Sequence, residues 1–262
     1  MMKIVIAPDS FKGSLSSAAA ARCIAAGVRR FLPDCEIVQI PVADGGEGTL
    51  DSLLAAAGGR RVPVRVRGPL GDPVDAEFGV LEPSGAAVIE MAKASGLTLI
   101  PPSRRNPLMT STWGTGELIK AALDAGCRDF ILAVGGSATN DGGAGMLSAL
   151  GLKLLDARGE PVPPCGGSLG RIARIDDAGW DRRIAESRFT LASDVTNPFL
   201  GDNGASRVFG PQKGATPEMV EALERGMASW ADVIERHTGK RVHDMPGAGA
   251  AGGIGGAFLA FF

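Results

Sequence analysis

The chain has 262 residues, 45% of them hydrophobic and 21% charged, with a formal net charge of -2. That is enough apolar material for one large or two smaller cored domains, and it excludes a disordered chain. The near-neutral balance makes no electrostatic case for nucleic acid or an anionic membrane, and no apolar run is long enough to span a bilayer. The cysteines Cys23, Cys35, Cys127 and Cys165 show no Cys-x-x-Cys spacing. With a start that enters a strand at once and has no signal-peptide layout, they lead us to expect a reduced, cytoplasmic protein. His237 and His243 are the only histidines and flank a Gly-Lys-Arg turn. That layout argues against a zinc site and against a Ser-His-Asp nucleophile system.

Ile4-Val5-Ile6-Ala7 reads as a short apolar strand, and residues 8–13 as the loop after it. Ser14 is the expected N-cap of an Ala-rich helix that runs to Phe31, with Ser16 and Ser17 close behind. A second strand over 36–40, a polar loop over 43–49 and a helix over 50–57 repeat the order. Strand, loop and helix in alternation imply a parallel sheet with functional loops at its carboxyl ends. From Arg61 the pattern changes. Residues 62–67 alternate apolar and charged, residues 68–73 make a turn, and residues 74–81 and 86–91 read as further strands of an antiparallel meander. The basic cluster Arg60, Arg61, Arg65 and Arg67 fits the outer face of such a strand. A helix is expected from Thr112 to a stop at Gly126, then a buried strand over 130–134 and a helix over 146–150. Residues 189–193 form another expected strand. A helix follows over 217–237, punctuated by Pro217 and Gly239.

The segment 135–146, Gly-Gly-Ser-Ala-Thr-Asn-Asp-Gly-Gly-Ala-Gly-Met, carries the most chemistry. A strand feeding a glycine-rich turn that opens a helix offers free N–H groups and a positive dipole end to an anion. Four polar loops follow expected strands, centred on Asp9, Asp44, Asp141 and Asp194. Carboxylates grouped with Lys12 and Lys213 suit phosphoryl transfer, since Mg2+ takes oxygen ligands and lysines neutralise the migrating group. A carboxylate can also accept the proton of an attacking hydroxyl. The competing reading makes each Asp a helix or turn cap, with Asp9 and Asp44 the first candidates. Residues 210–214 form a second glycine loop with a lysine but lack Walker spacing. Residues 247–252 match Gly-x-Gly-x-x-Gly, but no buried strand precedes them and no acidic residue follows, so close packing competes with a dinucleotide site. Glu90 and Lys93, after an apolar strand, read as structural or supporting.

Together these stretches resemble the bacterial glycerate kinase type 1 family. The resemblance rests on residues 3–15, 43–49, 89–92, 111–119, 135–146, 194–198, 208–215 and 246–253, in order along essentially the whole chain. It implies two α/β domains, one flavodoxin- or Rossmann-like with a parallel sheet and the other an inserted mixed α/β domain. The expected division is 1–60 plus 103–155 against 61–102 plus 156–262, with the site in the cleft between. It implies ATP-dependent phosphorylation of D-glycerate with Mg2+, a small-molecule partner, and a homodimer as one option. Which hydroxyl receives the phosphate stays open.

Carried over by position, Asp194, Asp44 and Lys12 are the expected catalytic residues, with Asp194 as base or metal ligand and Asp141 as a second metal ligand. Gly135, Gly136, Ser137, Thr139, Gly142, Gly143 and Lys213 are expected at the nucleotide. Asp9, Ser10, Glu47, Asn140 and Asn197 are expected at the substrate. Members of the family continue past the 246–253 motif, whereas this chain stops at Phe262. The alternative reading is therefore a shortened, non-catalytic ligand-binding module that needs its missing segment or a partner.

Overall fold

The computed structural model describes residues 2–11 and 14–262; Lys12, expected among the catalytic residues, lies outside the described residues. The chain begins with β1 (Lys3–Ile6), α1 (Ser17–Phe31) and β2 (Glu36–Gln39), a parallel pair joined by one helix. The N-cap of α1 is Ser16, not Ser14: its side chain accepts from the Ala19 N–H at 3.2 Å. The Ser17 hydroxyl is used elsewhere, donating to the Pro8 carbonyl at 2.7 Å and accepting from the Val42 N–H at 3.1 Å. This unit has its own small core of Ile6, Ala21 and Ala25.

After α2 (Thr49–Ala57) come β3 (Gly59–Arg67) and β4 (Pro73–Leu81). They pair antiparallel over their whole length, Gly59 opposite Leu81 and Arg67 opposite Pro73. The alternation expected of β3 holds: Arg60, Arg61, Arg65 and Arg67 are exposed while Val66 is buried. Arg61 forms ion pairs with Asp51 and Glu77 on that outer face. Then follow β5 (Ala87–Glu90), α3 (Ala92–Ser95), α4 (Trp113–Asp124), β6 (Asp129–Ala133), α5 (Ala144–Ala149), β7 (Lys153–Leu155), β8 (Arg174–Asp176) and β9 (Arg188–Ala192). The chain ends with α6 (Ala205–Phe209), α7 (Pro217–Thr238) and α8 (Ala250–Phe261).

The central sheet has five strands in the order β3-β4-β5-β6-β9. Its first half is the expected meander, and its second half is parallel, because β5, β6 and β9 run in the same direction. Thus β6, expected in the same unit as β1 and β2, instead hydrogen-bonds β5 and β9. The expected divisions at 102/103 and 155/156 fall between strands of one sheet. All four residues of β5 are buried, as a strand covered on both faces requires. The main core joins this sheet to α4, α5, α7 and α8, with Trp230, Phe78, Phe130 and Phe199 among its largest fully buried side chains. Phe130 and Phe189 stack across β6 and β9 with ring centroids 4.5 Å apart.

Candidate active site at the carboxyl ends of the parallel strands

Pairing places Glu90, Ala133 and Ala192 on one rung at the carboxyl ends of β5, β6 and β9. The chain leaves that rung into residues 91–93, 134–137 and 193–197, and loops at such ends are where parallel sheets bind ligands. The loop after β2 rests on the same ends. The Gly135 N–H donates to the Gly45 carbonyl at 3.0 Å. A Cβ on Gly135 would lie 2.6 Å from Gly46 Cα, and one on Gly45 would lie 2.5 Å from the Ala192 carbonyl oxygen. Both positions therefore require glycine, and Gly45 also has φ +87°. The sequence-expected loops carrying Asp44, Gly135 and Asp194 meet here, although β2 belongs to a different sheet.

Asp44 and Asp194 are exposed at this edge, as is Glu47. Asp44 Oδ1 accepts from the Gly46 N–H at 3.0 Å, which shapes its own loop. Asp9 is exposed and accepts from the Ser10 N–H at 2.6 Å. Asn197 Nδ2 donates to the Asn203 carbonyl at 2.7 Å, and its own carbonyl accepts from the Gly249 N–H at 2.9 Å. Gly136 is exposed, Gly135 partly so, and Ser137 is 8% accessible.

The second half of the glycine-rich segment is placed differently. Thr139, Asn140 and Asp141 have no solvent exposure. Asp141, expected as a metal ligand, has its carboxylate taken up by the chain itself. Its Oδ2 accepts from the Thr112 N–H at 2.7 Å, the Thr112 hydroxyl at 2.8 Å and the Gly145 N–H at 3.1 Å; its Oδ1 accepts from the Gly143 N–H at 3.2 Å. The N–H groups expected to cradle a bound anion at the start of α5 thus face an internal one. Burial pushes the Asp141 carboxyl above its ordinary range, against the pull of those donors. Gly142 is also internal: its N–H donates to the Gly252 carbonyl at 3.0 Å, and its carbonyl accepts from Trp230 Nε1 at 3.0 Å.

Lys213, expected at the nucleotide, is 2% accessible and donates from Nζ to the Thr139 carbonyl at 2.6 Å. Burial lowers its pKa to about 7, opposed by the nearby Asp141. Asn140 Nδ2 donates to the Ser206 hydroxyl at 3.1 Å. Asn140 Oδ1 and Thr139 Oγ1 are buried polar atoms without a protein partner. The 247–252 motif packs onto this layer: a Cβ on Gly252 would meet the Thr139 carbonyl at 2.0 Å, and Ala251, Gly252 and Gly253 all have positive φ. Close backbone approach accounts for those glycines.

A cavity of about 290 Å³ adjoins the strand-end row, lined by Ser10, Ser14, Glu47, Asp51, Glu90 and Lys93 among others. It brings together expected substrate residues Ser10 and Glu47. Glu90 and Lys93 are the residues that sequence reasoning left outside the site. Glu90 is 2% accessible, and its Oε1 accepts from the Leu50 N–H at the start of α2 at 2.8 Å. Lys93 Nζ lies 3.0 Å from Glu77 Oε1 and 3.9 Å from Glu90 Oε2. The available signal was a carboxylate ending an otherwise apolar strand. A second, apolar cavity of about 410 Å³ runs along the outer edge of β9 beside α8, lined by Phe189, Leu191, Val195, Pro246, Phe258 and Phe262 among others.

Three comparisons bear on this geometry. Glycerate kinase of Haemophilus influenzae is 52% identical over 258 residues, covering 98% of this chain and 68% of the relative. Glycerate 2-kinase of Escherichia coli is 51% identical over 260 residues, covering 99% of this chain and 68% of the relative. The crystal structure of a protein from Salmonella typhimurium LT2, provisionally named glycerate kinase 2, superposes with a TM-score of 0.88 at 52% identity. That match covers 99% of this chain and 70% of the other. The sequence model of the glycerate kinase family matches residues 4–262, and the chain belongs to that family.

Proposed function

We propose that this protein is a kinase that transfers the terminal phosphoryl group of ATP to D-glycerate. The observation that carries the reading is the meeting of three strand-end loops, with Gly45 and Gly46 set on Gly135 and Ala192 so closely that no side chain fits between. It joins the loops that carry Asp44 and Asp194 to the one that carries Gly135 and Gly136, in a protein whose relatives are named glycerate kinases. The phosphates of ATP fit the turn at residues 136–137, where Gly136 is exposed. The hydroxy acid fits the polar cavity beside it, near Ser10 and Glu47.

Asp194 and Asp44, both exposed oxygen donors at the edge, have the chemistry to hold Mg2+. The Asp141 carboxylate, filled by donors from Thr112, Gly143 and Gly145, does not, so we assign it to loop support. When bound, the cation offsets charge on the phosphates. Lys213 acts through Thr139 by fixing the wall of the loop. Asn197 supports the 194–198 turn from Gly249 and Asn203. The name of the Escherichia coli relative makes the 2-hydroxyl the acceptor to test first. We place the reaction in the cytoplasm, which suits four free cysteines.

A coupled assay of ADP release tests the reading. ADP should form with D-glycerate and not with 3-hydroxypropanoate, which lacks the 2-hydroxyl. Release of ADP independent of any hydroxy acid would overturn it.

A further inference from the structure

We propose that Glu90 is the base that takes the proton from the attacking hydroxyl of the hydroxy acid, an inference that rests on the kinase reading above. Glu90 stands on the strand-end rung beside Ala133, one strand from the chain that turns into Gly135 and Gly136. Neighbouring strands are about 4.8 Å apart, so a group on this carboxylate is within reach of a phosphoryl group at that turn. The cavity and the turn are contiguous through consecutive residues, since Gly46 packs on Gly135 while Glu47 and Gly48 line the cavity.

The two oxygens of Glu90 are differently employed. Oε1 is fixed by the Leu50 N–H, which holds the side chain in one orientation. Oε2 lies on the side of Lys93, 3.9 Å from its ammonium, too far for a hydrogen bond between the two. A buried carboxylate that lines a polar cavity, with one oxygen anchored and the other turned to a cation, is pre-oriented for proton transfer.

In the step, the substrate O–H proton passes to Glu90 Oε2 as its oxygen bonds to the terminal phosphorus of the nucleoside triphosphate. The bond from that phosphorus to the bridging oxygen breaks, and the electron pair leaves with the nucleoside diphosphate. Glu90 then returns the proton to water. The charged groups facing Glu90 among the described residues are Lys93 after β5, Asp51 on α2 and Glu47 in the loop before it. Glu77 of β4 acts through Lys93, and Arg61 of β3 binds both Asp51 and Glu77. Burial pushes the Glu90 carboxyl up and Asp51 adds to the rise; the Leu50 N–H, then the Lys93 ammonium and the Gly48 N–H pull it down.

The test is the pH dependence of ATP turnover with D-glycerate in the full chain and two variants. Glu90→Gln keeps an oxygen for the Leu50 N–H but cannot take a proton. It should lower kcat at least 100-fold, leave KM within about threefold, and unfold thermally near the wild-type temperature. Lys93→Met removes the ammonium, so the acid limb of kcat should move to higher pH. This second variant decides the matter even if Glu90→Gln does not fold. A folded Glu90→Gln protein with kcat within threefold of wild type, or an acid limb unmoved in Lys93→Met, would overturn the assignment. A wild-type chain without glycerate-dependent turnover would instead refute the kinase reading itself.

Discussion

Lys213 and Asp141 are the residues whose surroundings depart furthest from water. An ammonium without exposure, lowered to about 7, is a cost to the folded state while it stays charged. Unfolded, the same lysine titrates near its ordinary value, so between about 7 and that range the unfolded chain binds more protons. Stability therefore gains from this group as pH rises through that window, and the contribution is flat below it. Urea unfolding at pH 7 and at pH 9 should show wild type gaining stability relative to Lys213→Met, which has no proton to lose. An equal pH response in the two proteins would mean that Lys213 does not carry the shift. Nothing in the spacing of residues 210–214 signals this burial. An exposed turn lysine and a buried one look alike in sequence, and the difference is made by the 139–142 layer folding over the ammonium.

At the level of elements, the strand-end loops are held at backbone contact. Gly135→Ala would put a methyl 2.6 Å from Gly46 Cα, against backbone atoms of Gly45 and Gly46 and with no flexible side chain to yield. Overpacking of this kind costs about 1–3 kcal/mol. The loop carrying Asp44 should shift, so the variant should unfold at lower denaturant and lose turnover tenfold or more. Unchanged unfolding and turnover would show that the contact is not needed.

The elements were legible to very different degrees. The alternation in 62–67 and the start and stop of α7 were plain, because burial on one face and the Pro217 and Gly239 signals are local. The pair β7 and β8 was not, since three-residue strands carry no period to read. The loops after β2, β6 and β9 were recognisable as a set. What the Asp141 loop does with its carboxylate was not, because an Asp that binds a ligand and one that ties Thr112 to α5 occupy the same sequence pattern. Glu90 escaped for a related reason: its position is fixed by pairing with a strand some forty residues away.

Across the whole molecule, the buried core is unevenly distributed. The five-stranded sheet is packed into one large core, whereas β1 and β2 form a separate two-stranded sheet over Ile6, Ala21 and Ala25. Val5, Ile24, Phe31 and Ile40 in this part are exposed. Two-stranded sheets are marginal by themselves. Native-state hydrogen exchange should therefore show β1 and β2 amides opening with a free energy well below that of β5 and β6. Equal protection across both sheets would refute that division.

The central claim is that the meeting of these loops is a site for phosphoryl transfer to glycerate. Phosphorus NMR of the chain incubated with ATP, Mg2+ and D-glycerate tests it most directly, alongside Asp194→Asn. The account predicts a growing phosphomonoester signal of phosphoglycerate with wild type, slowed at least 100-fold in the variant. Appearance of inorganic phosphate alone, or an undiminished phosphoglycerate signal with Asp194→Asn, would contradict it.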